Sequence, residues 1–322
     1  MSPVRRQSWC AVDHLRNESL VDRLAAYARH AEAHTRTPPQ GSPGRSGVPW
    51  AFFGLTYGFT WLVLLPGLLA ARGLTASRLP DLALIALAQF GPSLAAFLLV
   101  WRGDGAAGAR RLLVRTFDVR ICPRWLLPIL LLPPALAAAA RLLHLSAGGT
   151  LPPAPLLERP WAILPTFAFI LLLQGPVPEE FGWRGYALDR LQARWGALTS
   201  ALVLGVVWGL WHLPLFFLPA AGIYVLPFGP WFAQVVASSV LVTWLYNSTG
   251  RNLLVALLWH TMNNLALALF PTLDLVSGAD PRGFIVQAVL YVLTAAAVVL
   301  IWGPRTLSHR GGALPSEART LH

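Results

Sequence analysis

Two adjacent glutamates and an arginine stand in the stretch PVPEEFGWRG at 176–185, directly after the uncharged stretch 161–174. Glu180 and Arg184 are four residues apart, so on a helix they share a face and can form an ion pair. Glu179 points about 100° away from Glu180 and has no such partner nearby in the chain. A carboxylate of this kind in apolar surroundings is suited to take a proton from water. Glu179 is therefore the first candidate for a catalytic base.

Two further motifs carry polar groups inside apolar runs. His212 follows Trp208 by four residues, and Asn264 follows His260 by the same spacing. One histidine can orient a water, and a second histidine with an asparagine can stabilise the oxyanion that forms at an attacked amide. Charged or ionisable side chains inside a membrane are costly, by about 2.5 to 3.5 kcal/mol on insertion scales, so they mark functional sites.

The same residues raise a metal as an alternative. Two histidines and a carboxylate, here His212, His260 and Glu179, are a known zinc set with an open position for water. The H-E-x-x-H signature does not occur in the sequence, so a zinc site would have to join three different helices. At this stage, hydrolysis with and without zinc both stay open.

The composition predicts the elements that hold these residues. The chain has 322 residues, of which 55% are hydrophobic and 12% charged, whereas a soluble domain carries about a quarter charged residues. Several continuous apolar runs reach the roughly 20 residues needed to cross a hydrocarbon core about 30 Å thick. Continuous runs favour helices over a barrel. We predict an all-α, polytopic helix bundle, multi-pass in the cell membrane.

The chain divides into three parts. Residues 1–47 are a polar, arginine-rich tail, either mobile or with a short surface helix, 48–304 form the bundle with a motif-bearing core at 160–270, and 305–322 form a second tail. The eight predicted spans are 50–70, 79–101, 124–144, 161–182, 196–217, 230–246, 253–270 and 284–303.

The arginines predict the orientation of the bundle. All 25 basic residues are arginine, and the formal net charge is +11. A nucleic-acid partner would require them to cluster on a water-facing domain, but they fall mainly in short connections, so no such partner is expected. Placing the N-terminus inside puts most of them on the cytoplasmic side. Both termini are therefore predicted to be cytoplasmic.

The depths of the candidate residues test whether they can meet. Counting along continuous helices from the cytoplasmic turns places Glu179 at roughly 18 Å, His212 at roughly 25 Å and His260 at roughly 12 Å. The three side chains can lie at the same depth in the membrane only if the fourth and fifth helices protrude into the cytoplasm. Pro176 and Pro178 predict a kink just ahead of Glu179.

The three motifs together resemble a known family. EEFGWRGYALDRLQ at 179–192, WGLWHLP at 208–214 and HTMNN at 260–264 are similar to the CPBP intramembrane proteases, which include CAAX prenyl endopeptidases of the Rce1 type and bacterial Abi-like proteins. The family's motifs are EExxxR, FxxxH and HxxxN, in that order. The resemblance covers about 160–270, with a weaker echo in FGPSLAAF at 90–97. Trp208 departs from the family pattern, which has phenylalanine there.

The resemblance implies an endopeptidase that cuts a peptide or protein near the cytoplasmic membrane surface, in contact with membrane lipid. In eukaryotic relatives the substrate is prenylated. It also implies a role for each motif residue: Glu179 and His212 activate water, and His260 and Asn264 stabilise the oxyanion. Three residues are implied to be supporting: Glu180, Arg184 and Trp208. The family is described both as glutamate-dependent and as metallo-type, so zinc stays open as a cofactor.

Two other classes of function use the same polar groups. An ion-coupled transporter would need polar residues along most of the bundle's depth, but the span 230–246 contains no ionisable group except Tyr246. A catalytically silent scaffold or immunity protein would only bind a membrane partner. A structure in which Glu179 and His212 lie more than about 10 Å apart, with no shared water site, would favour the scaffold over catalysis.

Overall fold

The computed structural model of the protein describes residues 48–75 and 80–308. Within these two ranges the chain is helical and contains no strand, which confirms the predicted all-α fold. The tail predicted at 1–47, with its alternative surface helix, lies outside the described residues, as do residues 309–322.

Helices account for most of the described chain. In chain order they are α1 Trp50–Ala71, α2 Asp81–Ala88, α3 Gly91–Val114, α4 Leu126–Ser146, α5 Ile163–Leu173, α6 Pro176–Gly182, α7 Ala197–Trp211, α8 Phe228–Ser248, α9 Leu253–Leu269 and α10 Arg282–Trp302. Short helical turns at Pro155–Glu158 and Leu213–Phe217 lie in the connections.

The described residues of each predicted span are mainly helical, and seven helical segments within the described chain are long and apolar enough to cross a membrane. The exception is α9, whose 17 residues extend about 25 Å, less than a hydrocarbon core of about 30 Å. It begins after Asn252, whose side chain caps it by accepting from the Leu254 N–H at 2.9 Å. It ends at Phe270, ahead of Pro271. The polytopic membrane bundle is confirmed.

The packing places α8 and α9 at the centre of the bundle. Helix α8 packs against α7 and α10, and α9 packs against α4, α5 and α6. Large apolar side chains are exposed on the outer helices, among them Leu62, Leu131, Leu172 and Leu300. An apolar surface of this extent is suited to lipid and would be unfavourable in water.

The fourth span is interrupted just before the glutamates. Helix α5 ends at Leu173, and α6 begins at Pro176, where a missing N–H costs nothing. Gly175 in the break has φ of 109°, a conformation that favours glycine. The predicted kink is therefore a complete break on the N-terminal side of the prolines.

Beyond α6 the same span changes its winding. Residues Trp183–Leu188 form a π-helical turn, and Asp189–Gln192 return to α-helix. Polar bonds hold this end of the span: the Tyr246 hydroxyl donates to Asp189 at 3.1 Å, and Arg115 donates to it at 3.2 Å. The side-chain amides of Gln192 and Asn247 exchange two hydrogen bonds, of 3.2 and 2.8 Å. We call these contacts the anchor of the fourth span.

The packed region continues beyond 304. The N–H of Ala197 donates to the carbonyl of Arg305 at 2.8 Å. Leu307 is fully buried. Residues 305–308, predicted as the start of a tail, therefore pack against the beginning of α7.

Candidate active site

Helix α3 supports the short helix that carries the glutamates. The Ser93 hydroxyl donates to the Val177 carbonyl at 3.0 Å. A Cβ at Gly182 would lie 2.5 Å from the Pro92 carbonyl oxygen, so the two backbones touch at this point. The stretch 90–97, noted in the sequence for its similarity to the family, forms the platform for α6.

Glu179 is buried, with 3% of its surface exposed. Its Oε2 accepts hydrogen bonds from the indole N–H of Trp208 at 2.7 Å and from that of Trp183 at 3.3 Å. Within the described residues, no cation forms an ion pair with it. Two neutral donors therefore fix one oxygen of this carboxylate, and Oε1 is directed elsewhere.

Glu180 serves a different purpose from its neighbour. Its Oε1 accepts from Arg184 Nη1 at 2.6 Å and lies 2.8 Å from His260 Nδ1. Glu180 and Arg184 have 0% of their surfaces exposed, and the guanidinium lies 4.6 Å from the centre of the Trp208 ring. The predicted ion pair between Glu180 and Arg184 is present. Glu180 also contacts a third residue, His260, which the sequence did not predict.

Three polar groups meet at one point beside Gly175. The position that a Cβ of Gly175 would occupy lies 3.1 Å from Glu179 Oε1, 3.1 Å from His260 Nε2 and 3.3 Å from Asn264 Nδ2. Asn264 Nδ2 also donates to the Gln174 carbonyl at 3.0 Å. This position lies one carbon–carbon bond from the Gly175 Cα, so it marks where the three groups come together and is not itself a place for a bound atom. We call it the convergence point.

His212 lies at the end of α7, in an aromatic setting. Its Nδ1 lies 2.8 Å from the Trp208 carbonyl. Its ring packs edge-to-face against Trp211 and Trp231, at centroid distances of 4.6 and 5.2 Å. Among the described residues no hydrogen bond joins His212 to Glu179; Trp208, which contacts both, connects them.

The zinc alternative is tested by the donor geometry. Across 48–75 and 80–308, no three His, Cys, Asp or Glu side chains come together as a group that could hold a metal ion. Glu179 Oε2 already accepts two indole protons, and His260 Nδ1 is engaged by Glu180. Glu179 Oε1 and His260 Nε2 remain free, but within the described residues these two side chains and His212 do not form a group that could hold zinc, so the reaction proposed for this site uses no metal.

Sequence reasoning missed three parts of this site. Trp183 follows Glu179 by four residues, so helical spacing would have identified it. The Gln174 carbonyl and the open position beside Gly175 gave no such signal, because both depend on the break between α5 and α6.

The site falls inside a region that matches a known family. A family model described as type II CAAX prenyl endopeptidase Rce1-like matches residues 160–266, which include every predicted site residue. The chain is also similar to CAAX prenyl protease 2 of Methanococcus maripaludis, with 25% identity over 264 residues, 77% of this chain and 84% of that protein. These matches confirm the predicted resemblance and support a peptidase over a transporter or a silent scaffold.

Proposed function

We propose that this multi-pass membrane peptidase, which is similar to the Rce1-like CAAX endopeptidases, hydrolyses a peptide bond with Glu179 as its base. The observation that carries the proposal is the meeting of Glu179 Oε1, His260 Nε2 and Asn264 Nδ2 around the convergence point.

The first step is the attack of water on the scissile carbonyl. A water on the Glu179 side of the convergence point gives a proton to Oε1 as its oxygen bonds to the carbonyl carbon. The C=O electron pair moves to the carbonyl oxygen, which accepts hydrogen bonds from His260 and Asn264. Because Nδ1 of His260 faces the Glu180 carboxylate, His260 can also donate through Nε2 only when both of its ring nitrogens carry a proton.

The second step breaks the peptide bond. The tetrahedral intermediate collapses, the C–N bond breaks, and Glu179 returns its proton to the leaving nitrogen. One water is consumed, and the products are a carboxylic acid and an amine, which ionise to a carboxylate and an ammonium group. Glu179 is restored to its starting form.

The neighbouring residues position these groups. Glu180, held by Arg184, orients the His260 ring so that Nε2 faces the convergence point. Trp208 fixes the Glu179 carboxylate through its indole N–H. His212, with Nδ1 tied to the Trp208 carbonyl, assists water activation through Nε2.

The proposed substrate is a peptide or protein at the membrane surface with a CAAX-type C-terminus. The names of the similar proteins, which refer to CAAX and to prenyl groups, support this class. The location of Glu179 within an apolar span supports a substrate that carries a lipid group into the bilayer. Membrane lipid is therefore a partner of the reaction.

The test compares Glu179→Gln with Glu158→Gln, the same change at an exposed glutamate in the short turn before the fourth span. Each protein is purified in detergent and supplied with a quenched-fluorescent farnesylated CAAX peptide and its unprenylated analogue. Loss of a general base lowers the rate by about 10² to 10⁴, so we expect at least about a 100-fold fall in kcat for Glu179→Gln only. A Glu179→Gln protein that keeps more than about a tenth of the wild-type kcat would contradict the assignment.

A further inference from the structure

We infer that Gly175 is a positioning residue for the reaction, because its missing side chain keeps open the space in which Glu179, His260 and Asn264 meet. This inference rests on the function proposed above. Gly175 contributes no polar side chain and lies outside the three motifs, but the three heavy atoms nearest to a Cβ built on it belong to Glu179, His260 and Asn264.

The distances show what a side chain here would displace. A Cβ at position 175 would lie 3.1 Å from both Glu179 Oε1 and His260 Nε2. A carbon prefers about 3.5 to 4.0 Å from its non-bonded neighbours. A methyl group would therefore occupy the convergence point, crowd two polar atoms and offer them no hydrogen bond.

The backbone of the same segment builds two sides of the site. The Gly175 carbonyl accepts from the Glu179 N–H at 2.8 Å and so starts the helix that carries the base. The Gln174 carbonyl accepts from Asn264 Nδ2 at 3.0 Å and so orients the amide. With φ of 109° and ψ of −63°, the break brings both carbonyls into place without a side chain entering the site.

Other glycines show that a positive φ alone does not create this arrangement. Gly73, Gly148 and Gly303 have φ of 70°, 76° and 75°, and a Cβ on any of them would meet nothing within 4 Å. Gly303, with ψ of 149°, also lies outside the left-handed helical region. Gly303→Ala is therefore a matched control that introduces backbone strain in open space.

The experiment measures kcat and KM on the farnesylated CAAX peptide, and Tm in detergent, for wild type, Gly175→Ala and Gly303→Ala. A misplacement of about 1 Å in an active site can cost about 100-fold in rate. We expect Gly175→Ala to lose at least about 100-fold in kcat. Its KM should stay within about threefold of wild type, and its Tm should be close to that of Gly303→Ala. A kcat for Gly175→Ala similar to that of Gly303→Ala would overturn the inference.

A second variant separates space from backbone strain. Gly175, with φ of 109° and ψ of −63°, lies outside the left-handed helical region that asparagine tolerates, so Gly175→Asn keeps the backbone strain of Gly175→Ala and adds a larger group. We expect it to fold and to have a lower kcat than Gly175→Ala. If neither variant at 175 folds, glycine is required there for the backbone conformation and not for open space, and the inference is wrong.

The wild-type protein and Glu179→Gln, assayed beside these variants, keep the two proposals apart. If wild type cleaves the peptide and Glu179→Gln does not, an active Gly175→Ala contradicts only the role of Gly175. If both cleave equally, or neither cleaves, the proposed function fails and takes this inference with it.

Discussion

His260 Nδ1 lies 2.8 Å from Glu180 Oε1, and both side chains are buried in the bundle. The contact joins α9 to α6 and turns the opposite ring nitrogen towards the convergence point. Of the two adjacent glutamates, one therefore contacts an imidazole while the other faces the convergence point. Because Arg184 shares the same carboxylate oxygen, its removal tests this arrangement.

Arg184→Met is expected to destabilise the protein strongly. It leaves the Glu180 charge buried without its guanidinium partner, and breaking a buried pair in this way costs about 3 to 5 kcal/mol. Thermal unfolding of the purified protein in detergent should show a large fall in Tm. Arg110→Met, the same change at an exposed arginine, serves as the control and should leave Tm nearly unchanged.

The double variant Glu180→Gln with Arg184→Met is expected to regain part of that stability. It removes the lone charge together with its partner, and replacing both members of a buried pair is far less costly than removing one. Peptide cleavage should nevertheless stay low, because His260 has lost its carboxylate partner. A double variant no more stable than Arg184→Met would show that the ion pair is not what the single change disrupts.

Trp208→Phe is expected to lower kcat by about tenfold or more. It removes the 2.7 Å hydrogen bond to Glu179 Oε2, and a hydrogen bond to a charged group contributes about 1.5 to 3 kcal/mol. Trp244→Phe is the matched control, since its buried indole N–H has no hydrogen-bond partner within the described residues. Cleavage rates on the CAAX peptide compare the two, and equal rates would remove Trp208 from the site.

Chelation is expected to leave the activity unchanged. The described residues bring no three metal-ligating side chains together, and the proposed water activation uses Glu179 directly. Purified protein should be analysed for bound zinc and assayed with and without a strong chelator. Stoichiometric zinc together with loss of cleavage on chelation would replace this mechanism by a metal-dependent one.

Asp189→Asn is expected to weaken the anchor of the fourth span while leaving the chemistry intact. The carboxylate accepts from Tyr246 and from Arg115, and its side chain is 26% exposed. We therefore expect a loss of about 1 to 3 kcal/mol, between the values for exposed and buried pairs. Asp104→Asn, at the more exposed pair with Arg111, should lose less than about 1 kcal/mol. Unfolding experiments measure the loss of stability in both variants. A large fall in kcat for folded Asp189→Asn would contradict a purely anchoring role.

Contacts within one helix could be predicted from the sequence, and contacts between helices could not. Spacing alone identified the pairing of Glu180 with Arg184, and the apolar runs located every span. Spacing cannot predict that Trp208 reaches Glu179, since this depends on how two helices are rotated and how deep each lies. The depth estimate also assumed one continuous α-helix through 161–191, whereas Gly175 breaks that helix and a π-helical turn follows.

The π-helical turn at Trp183–Leu188 joins two α-helical parts of the fourth span, one with Glu179 and Glu180 and the other with Asp189 and Gln192. Its i→i+5 hydrogen bonds hold one residue more than an α-helical turn does. Deleting one residue from this turn would restore α-helical winding, and Asp189 and Gln192 would keep facing Tyr246 and Asn247. A relative that is one residue shorter between Glu180 and Asp189 can therefore keep the same anchoring contacts without a π-helical turn.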